Sequence, residues 1–175
     1  MKTYRDYLLI ALLVIWGAPK ASAQTLFGPE AKDWELTLGG GGSNDRNFNS
    51  GSFALNASLG YYFTKAAELS VRQGVSFSDF GDSVWNGSTR LAFDYNFDLN
   101  RFRPYLGVNF GGIYGDSVRN TFASGLEAGL KYYVLPKTFL FGSVEYEWLF
   151  RSGRHIDNRF KDGEFIYGVG IGFNF

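Results

Sequence analysis

Apolar residues recur at every second position through most of this chain, and turn residues interrupt the pattern at regular intervals. A period of two places successive side chains on opposite faces of a β-strand. The segments that show it are WELTLGGG, SFALNASLGYYF, AELSVRQGVSF, WNGSTRLAFDYNF, RPYLGVNFGGIY, FASGLEAGLKYYV, TFLFGSVEYEWLFR and EFIYGVGIGFNF. The sequence therefore predicts an all-β protein of eight strands, each with one apolar and one polar face.

The N-terminus has the features of a secretory signal peptide. Lys2 and Arg5 precede an apolar run at residues 8–16, and Ala21-Ser22-Ala23 has the small-x-small pattern of a cleavage site. We expect cleavage after Ala23. The predicted organisation is a signal peptide at residues 1–23, a short N-terminal segment at 24–32 and one barrel domain at 33–175.

Composition narrows the class of protein further. Aromatic residues make up 19% of the chain, which has 23 glycines and no cysteine, so disulfides and thiolate metal ligands are excluded. A formal net charge of +0 argues against a nucleic-acid partner. Past residue 23 no apolar run is long enough for a membrane-spanning helix, so membrane insertion requires a closed barrel.

The connectors between the segments alternate in length. Those at 64–66, 98–102 and 135–137 are tight, whereas those at 43–50 and 152–163 are longer and polar. Short turns on one side and longer loops on the other are typical of a transmembrane β-barrel. We therefore expect an eight-stranded antiparallel transmembrane barrel with both termini in the periplasm.

A soluble, lipocalin-like carrier would show the same alternation with its faces exchanged. Two features favour the membrane. Aromatic residues on the apolar face crowd toward strand ends, as at Trp34, Tyr61, Trp85, Tyr95 and Trp148, where they match the two membrane interfaces. The polar face is rich in Gly, Ser and Asn, which suit a narrow interior.

The last segment carries a family resemblance. It ends on Phe175 with Tyr167, Ile171 and Phe173 in the same alternating register, and in this it resembles bacterial outer-membrane barrels of the small OmpA/OmpX type. The resemblance implies that these four residues form an assembly signal for the barrel-assembly machinery. It also implies an outer-membrane location among lipid and lipopolysaccharide, and a monomeric barrel.

Charged residues fall on the predicted inner face of the barrel. An eight-stranded interior barely holds its own side chains, so charges there must be paired. We interpret them as a structural plug, with a narrow ion path or a catalytic carboxylate pair as alternatives. The predicted lumen charges are Glu35, Glu68, Arg72, Arg90, Asp94, Arg103, Glu127, Lys131, Glu145, Glu147, Arg151 and Glu164.

The last loop is basic. Arg154, His155, Arg159 and Lys161 could pair with lipopolysaccharide phosphates or contact a protein partner, and a merely solvated loop explains them equally well. His155 is the only histidine. The lipid-A-modifying barrels use a histidine with a serine and an acidic residue, and the His-x-Ser pairing of the deacylase is absent here.

The run GGGGS at residues 39–43 lacks the lysine and helix of a phosphate-binding loop, and it predicts a bend or bulge in the first strand. The sequence as a whole predicts an integral outer-membrane barrel with a structural or surface-interaction role. It predicts no enzymatic activity, cofactor or metal. The alternatives are a lipid-A-modifying enzyme and a narrow-pore channel.

Overall fold

A computed structural model describes residues 27–44, 51–79, 83–116, 121–150 and 164–175. These residues form a closed barrel in which every strand is antiparallel to both neighbours. The strands are β1 (Trp34–Asn44), β2 (Gly51–Tyr62), β3 (Ala67–Asp79), β4 (Ser83–Asn96), β5 (Phe102–Gly115), β6 (Thr121–Leu135), β7 (Thr138–Phe150) and β8 (Glu164–Asn174). The predicted fold, an eight-stranded antiparallel barrel, is confirmed. The described part of the chain contains no helix that is long and apolar enough to cross a membrane.

The two ends of the barrel differ, as the connector lengths predicted. Residues 63–66, 97–101 and 136–137 form tight turns at the end where β1 begins and β8 stops, which we call the terminus end. The remaining connectors join strands at the opposite end, which we call the loop end. Alternation of short and longer connectors follows from the up-and-down strand order, which returns the chain to the same end after every second strand.

The apolar face of each strand points outward. Large apolar side chains on this face, from Trp34 on β1 to Phe173 on β8, are 36–77% exposed. Charged side chains on the other face, such as Glu68 and Arg103, are almost fully buried. Exposure of a continuous apolar surface of this kind to water is unfavourable, whereas its contact with the hydrocarbon layer of a membrane is favourable.

One strand pair is shorter than the rest. Pairing of β1 with β8 runs from Glu35 and Asn174 to Gly39 and Gly170 and ends there. Pairing of β1 with β2 continues to Asn44. Residues 40–44 and 164–169 therefore face one another without forming a ladder, and we call this stretch the open half of the β1–β8 seam.

The predicted bulge in the glycine run is wrong. Residues Gly39 to Gly42 pair with β2 in a register that shifts nowhere between Trp34 and Asn44. These glycines lie at the point where β1 and β8 separate. Glycine there leaves the strand edge without side chains, so the run affects the seam and not the register with β2.

Candidate functional site in the barrel lumen

Three cations in the lumen each hold two carboxylates. Nearest the terminus end, Lys131 Nζ lies 2.6 Å from Glu35 Oε1 and 3.0 Å from Glu68 Oε2. It also donates to the Tyr62 hydroxyl at 2.9 Å, and that hydroxyl in turn donates to Glu35 Oε2 at 2.9 Å. Charges so deeply buried are tolerated because each one has both an ionic partner and hydrogen bonds.

The second group lies at the middle of the barrel. Arg72 Nη2 lies 2.5 Å from Asp94 Oδ2, and its other terminal nitrogen donates to Glu127. Tyr105 adds a hydrogen bond of 2.8 Å from its hydroxyl to Glu127 Oε1. A guanidinium suits this position because its planar fork can serve two carboxylates at once.

The third group lies nearer the loop end. Arg90 Nη1 lies 2.7 Å from Glu145 Oε1 and 3.0 Å from Glu147 Oε2. Asn109 on β5 donates to Glu145 Oε1 on β7 at 2.7 Å, across the intervening strand β6. The three groups together contain six carboxyl groups and three cations, so acidic groups outnumber basic ones among them.

A floor of aromatic side chains closes the terminus end. Tyr62, Tyr133 and Phe139 are fully buried there, and the rings of Tyr133 and Phe139 lie 5.0 Å apart. Phe27, from the segment before β1, packs against the same cluster. The N-terminal segment thus lies under the barrel and covers the opening at that end.

Arg103 fastens this segment in place. Its guanidinium donates to the carbonyl oxygen of Phe27 at 3.1 Å and to that of Lys65 at 3.2 Å, and it pairs with Asp98 at 3.1 Å. Gly28 N donates to the carbonyl oxygen of Pro136 at 2.9 Å. Arg103 therefore belongs to the floor rather than to the three charge groups above it.

The structure describes most of the predicted lumen charges and places them inside the barrel. These are Glu35, Glu68, Arg72, Arg90, Asp94, Arg103, Glu127, Lys131, Glu145 and Glu147. Arg151 and the side chain of Glu164 lie outside the described part of the chain, as do Arg154, His155, Arg159 and Lys161. Tyr167, Ile171, Phe173 and Phe175 point outward from β8 and the chain end.

The sequence placed Asn109 and Asn174 on the polar face, but it left the three tyrosines of the lumen unidentified. Tyr62, Tyr105, Asn109, Tyr133 and Asn174 all take part in its hydrogen bonds. The positions of the tyrosines in the alternation could have identified them, because each occupies the polar face of its strand. Large rings at such positions are conspicuous where the neighbouring inward positions are mostly small or charged.

A second omission lies on the outer face. Gln73, Thr89 and Tyr114 form a hydrogen-bonded trio there: Gln73 Nε2 donates to the Tyr114 hydroxyl at 2.9 Å, and Thr89 Oγ1 donates to Gln73 Oε1 at 2.7 Å. Gln73 lies between the outward-facing Val71 and Val75 on β3. The polar groups of the trio form hydrogen bonds with one another, as polar groups in contact with lipid must have partners within the protein.

A cavity of about 110 Å³ lies among the three charge groups. Its wall includes Asp94, Glu127 and Lys131 from the lumen, and Gly39 and Val169 from the two sides of the seam. Among the described residues, no group of three or more histidine, cysteine, aspartate or glutamate side chains is arranged to hold a metal ion. The cavity has room for several water molecules or a small polar group.

The closed strand order, the lipid-facing apolar surface and the charged interior define an integral β-barrel membrane protein. Residues 8–175 match the model of the outer membrane protein beta-barrel domain family. The chain belongs to that family, and its location is accordingly the outer membrane.

Solved structures of small outer-membrane barrels are similar to the chain. The N-terminal β-barrel domain of OprF from Pseudomonas aeruginosa is 21% identical, with a TM-score of 0.57 over 84% of this chain and 100% of that one. Neisserial surface protein A is 15% identical, with a TM-score of 0.60 over 82% and 96%. OprG from Pseudomonas aeruginosa is 13% identical, with a TM-score of 0.58 over 85% and 98%. At these identities the likeness shows the fold alone, and comparison with curated proteins finds no match.

Proposed function

We propose that the protein is a structural, surface-interacting barrel without enzymatic activity, and that its lumen is a plug that does not conduct ions. The floor formed by Tyr62, Tyr133, Phe139 and Phe27 carries this proposal. Fully buried rings across one end, with paired charges above them, leave no room for a hydrated ion to pass at that level. In this respect the lumen resembles a protein core more than a channel.

Electrical recording in planar bilayers tests the plug. We expect the wild-type barrel to show little conductance. The double variant Y133A F139A, which removes two rings of the floor, should conduct more than a control such as L106A on the outer face. Large, stable current steps from the wild-type protein would overturn the plug and favour the narrow-pore alternative.

The rival function, modification of lipid A, has little support in the residues. Catalysis of that kind needs a histidine beside a serine and an acidic group, and the single histidine of the chain, His155, lies in the last connector. Hydrolysis or transfer of acyl chains on purified lipid A by the reconstituted protein would overturn the non-enzymatic role. If such activity exists, its loss in a H155A variant would identify His155 as the catalytic residue.

The proposed topology places both termini in the periplasm and the loop end outside the cell. A cleaved signal peptide ending at Ala23 is consistent with export of the chain to this location. Mass spectrometry of the mature protein tests the cleavage site, since a first residue other than Gln24 would overturn it. Protease added to intact cells should cut within 151–163 and leave the terminus-end turns untouched.

The surface partner we propose is lipopolysaccharide, bound through Arg154, Arg159 and Lys161 with His155 beside them. Guanidinium groups pair with phosphates in a bidentate manner, which favours this partner for a basic loop at the outer leaflet. The variant R154A R159A K161A should retain less lipopolysaccharide during purification than D157A D162A, which alters the same loop in the opposite charge sense. Equal retention by both variants would leave the loop as a solvated connector and overturn the proposal.

A further inference from the structure

The open half of the β1–β8 seam borders both the lumen cavity, which Tyr167 and Val169 help to line, and the lipid-facing surface. At Gly39 the strands are close: an added Cβ would lie 2.7 Å from the carbonyl oxygen of Val169. Two residues further along, an added Cβ at Gly41 would meet nothing within 4 Å. Across the seam, one at Gly168 would meet only Ser143 Oγ, at 2.9 Å. The lumen side of the seam therefore opens beyond Gly39 and Gly170, where the pairing of β1 with β8 ends.

Side chains on the lipid face of the seam lack a neighbour across it. Tyr167 and Val169 on β8 are 77% and 65% exposed. The lipid-facing Val71 and Val108, which lie between paired strands, are 53% and 51% exposed. Apolar surface at the seam is thus available to an additional apolar group, beside a strand edge whose backbone groups require hydrogen-bond partners.

The chemistry of the cavity determines what can enter it. Its wall contains the carboxylates of Glu35, Glu68, Asp94, Glu127 and Glu145 against the cations Arg72, Arg90 and Lys131. Asp94 lines this wall through a side chain that is almost fully buried, with its Oδ1 packed against Gly107 of β5. An excess of carboxyl groups over cations in the wall favours a cationic ligand.

We propose that the open half of the seam is a lateral entrance from the membrane to the cavity, and that the site binds a small cationic amphiphile. Its ammonium head group lies in the cavity near Asp94, and its alkyl chain leaves through the seam against Tyr167 and Val169. The cavity volume of about 110 Å³ has room for such a head group. This inference is independent of the proposed surface role and of the floor.

Electron paramagnetic resonance of the full barrel in phospholipid nanodiscs tests the site. The probe is a long-chain alkyltrimethylammonium with a spin label on the chain, and the comparison probe has the same labelled chain with a sulfate head. We expect an immobilised population of the ammonium probe that is about tenfold larger than that of the sulfate probe. Equal populations would show only boundary binding to the barrel surface and would overturn the proposal.

Two variants locate the binding at the seam. G41F places a ring in the open space beside the cavity and should abolish most of the immobilised population. G112F makes the same change on the outer face of β5, where an added Cβ has no neighbour closer than 4.0 Å, and should leave the population unchanged. Equal populations in the two variants would overturn the lateral entrance.

A reversible closure covers the case in which G41F does not fold. The chain has no cysteine, so G41C G168C introduces the only thiols, at positions that continue the β1–β8 register and where an added Cβ meets no backbone atom within 4 Å. A bifunctional thiol cross-linker with a cleavable disulfide should abolish probe binding, and reduction should restore it. Binding that persists in the cross-linked barrel would overturn the entrance. A heat-dependent shift of the band on gels checks that the variant has folded.

Discussion

The backbones of Trp34 and Phe175 exchange two hydrogen bonds. Trp34 N donates to the carbonyl oxygen of Phe175 at 2.8 Å, and Phe175 N donates to that of Trp34 at 2.9 Å. The last residue of the sequence thus closes the barrel against the first residue of β1. Because its side chain is 66% exposed, the ring contributes little to packing, and the backbone and side chain have separable roles.

This separation gives the first prediction. F175A retains the backbone pair with Trp34 and removes the ring, so we expect it to lower the yield of assembled barrel nearly as much as deletion of Phe175. F165A, which removes an equally exposed ring at the other end of β8, should assemble normally. The yield of heat-modifiable protein in the outer-membrane fraction measures both, and normal assembly of F175A would remove the ring as an assembly signal.

The second prediction concerns Lys131. K131M leaves Glu35 and Glu68 without their cation, and removal of one partner from such a buried group costs about 3–5 kcal/mol of the free energy of unfolding. The matched control K137M breaks the pair with Asp33, whose lysine side chain is 44% exposed, and should cost less than about 1 kcal/mol. Urea unfolding in lipid vesicles measures both values.

A further variant separates burial of charge from loss of packing. E35Q E68Q K131M removes all three charges at once, and it should recover a large part of the stability lost in K131M because no uncompensated carboxylate is left. If the triple variant is as unstable as K131M, the loss arises from packing around the Lys131 methylenes.

The third prediction concerns Gly28 in the floor. Its φ of +104° disfavours other residues, and an added Cβ would lie 2.2 Å from Nε of the fully buried Arg103. We expect G28A to displace the N-terminal segment and to lower the free energy of unfolding by about 1–3 kcal/mol. G41A is the matched control, because a methyl group there meets nothing within 4 Å. Equal stability of the two variants would contradict the role of Arg103 in fastening the floor.

The fourth prediction concerns the polar trio on the outer face. T89V removes the donor to Gln73, and we expect a loss of about 1 kcal/mol, because the amide oxygen is then unpaired against lipid. Q73L T89V Y114F removes every polar group of the trio and should be at least as stable as T89V alone. A triple variant much less stable than T89V would show that the trio has a partner outside this chain.

Alternation in the sequence predicted the strands and their two faces, and the aromatic residues near strand ends indicated which face points toward the lumen. Glu35 and Lys131 were placed inside because alternate positions of a strand point to opposite faces, and both residues occupy positions of the polar face. Their contact was not predictable in the same way. The two residues are 96 positions apart, and only the stagger of strands around the closed barrel brings them together.

The seam is a second feature that local reasoning could not supply. The glycine run at residues 39–42 predicted a bulge because glycine weakens a strand interior. The open half of the seam depends instead on where β1 and β8 stop pairing, which is fixed by closure of the whole barrel. The polar trio was missed for a related reason, since Tyr114 on β5 reaches Gln73 on β3 across the intervening strand β4.

The floor beneath the lumen affects how many copies of the protein the outer membrane can hold. A barrel that is open at both ends adds a leak to the membrane with every copy, so the cell must limit how many it makes. A barrel plugged in the way proposed above, with Phe27, Tyr133 and Arg103 at its closed end, would add surface without adding permeability. Such a protein can occupy a large share of the outer membrane while the permeability barrier stays intact.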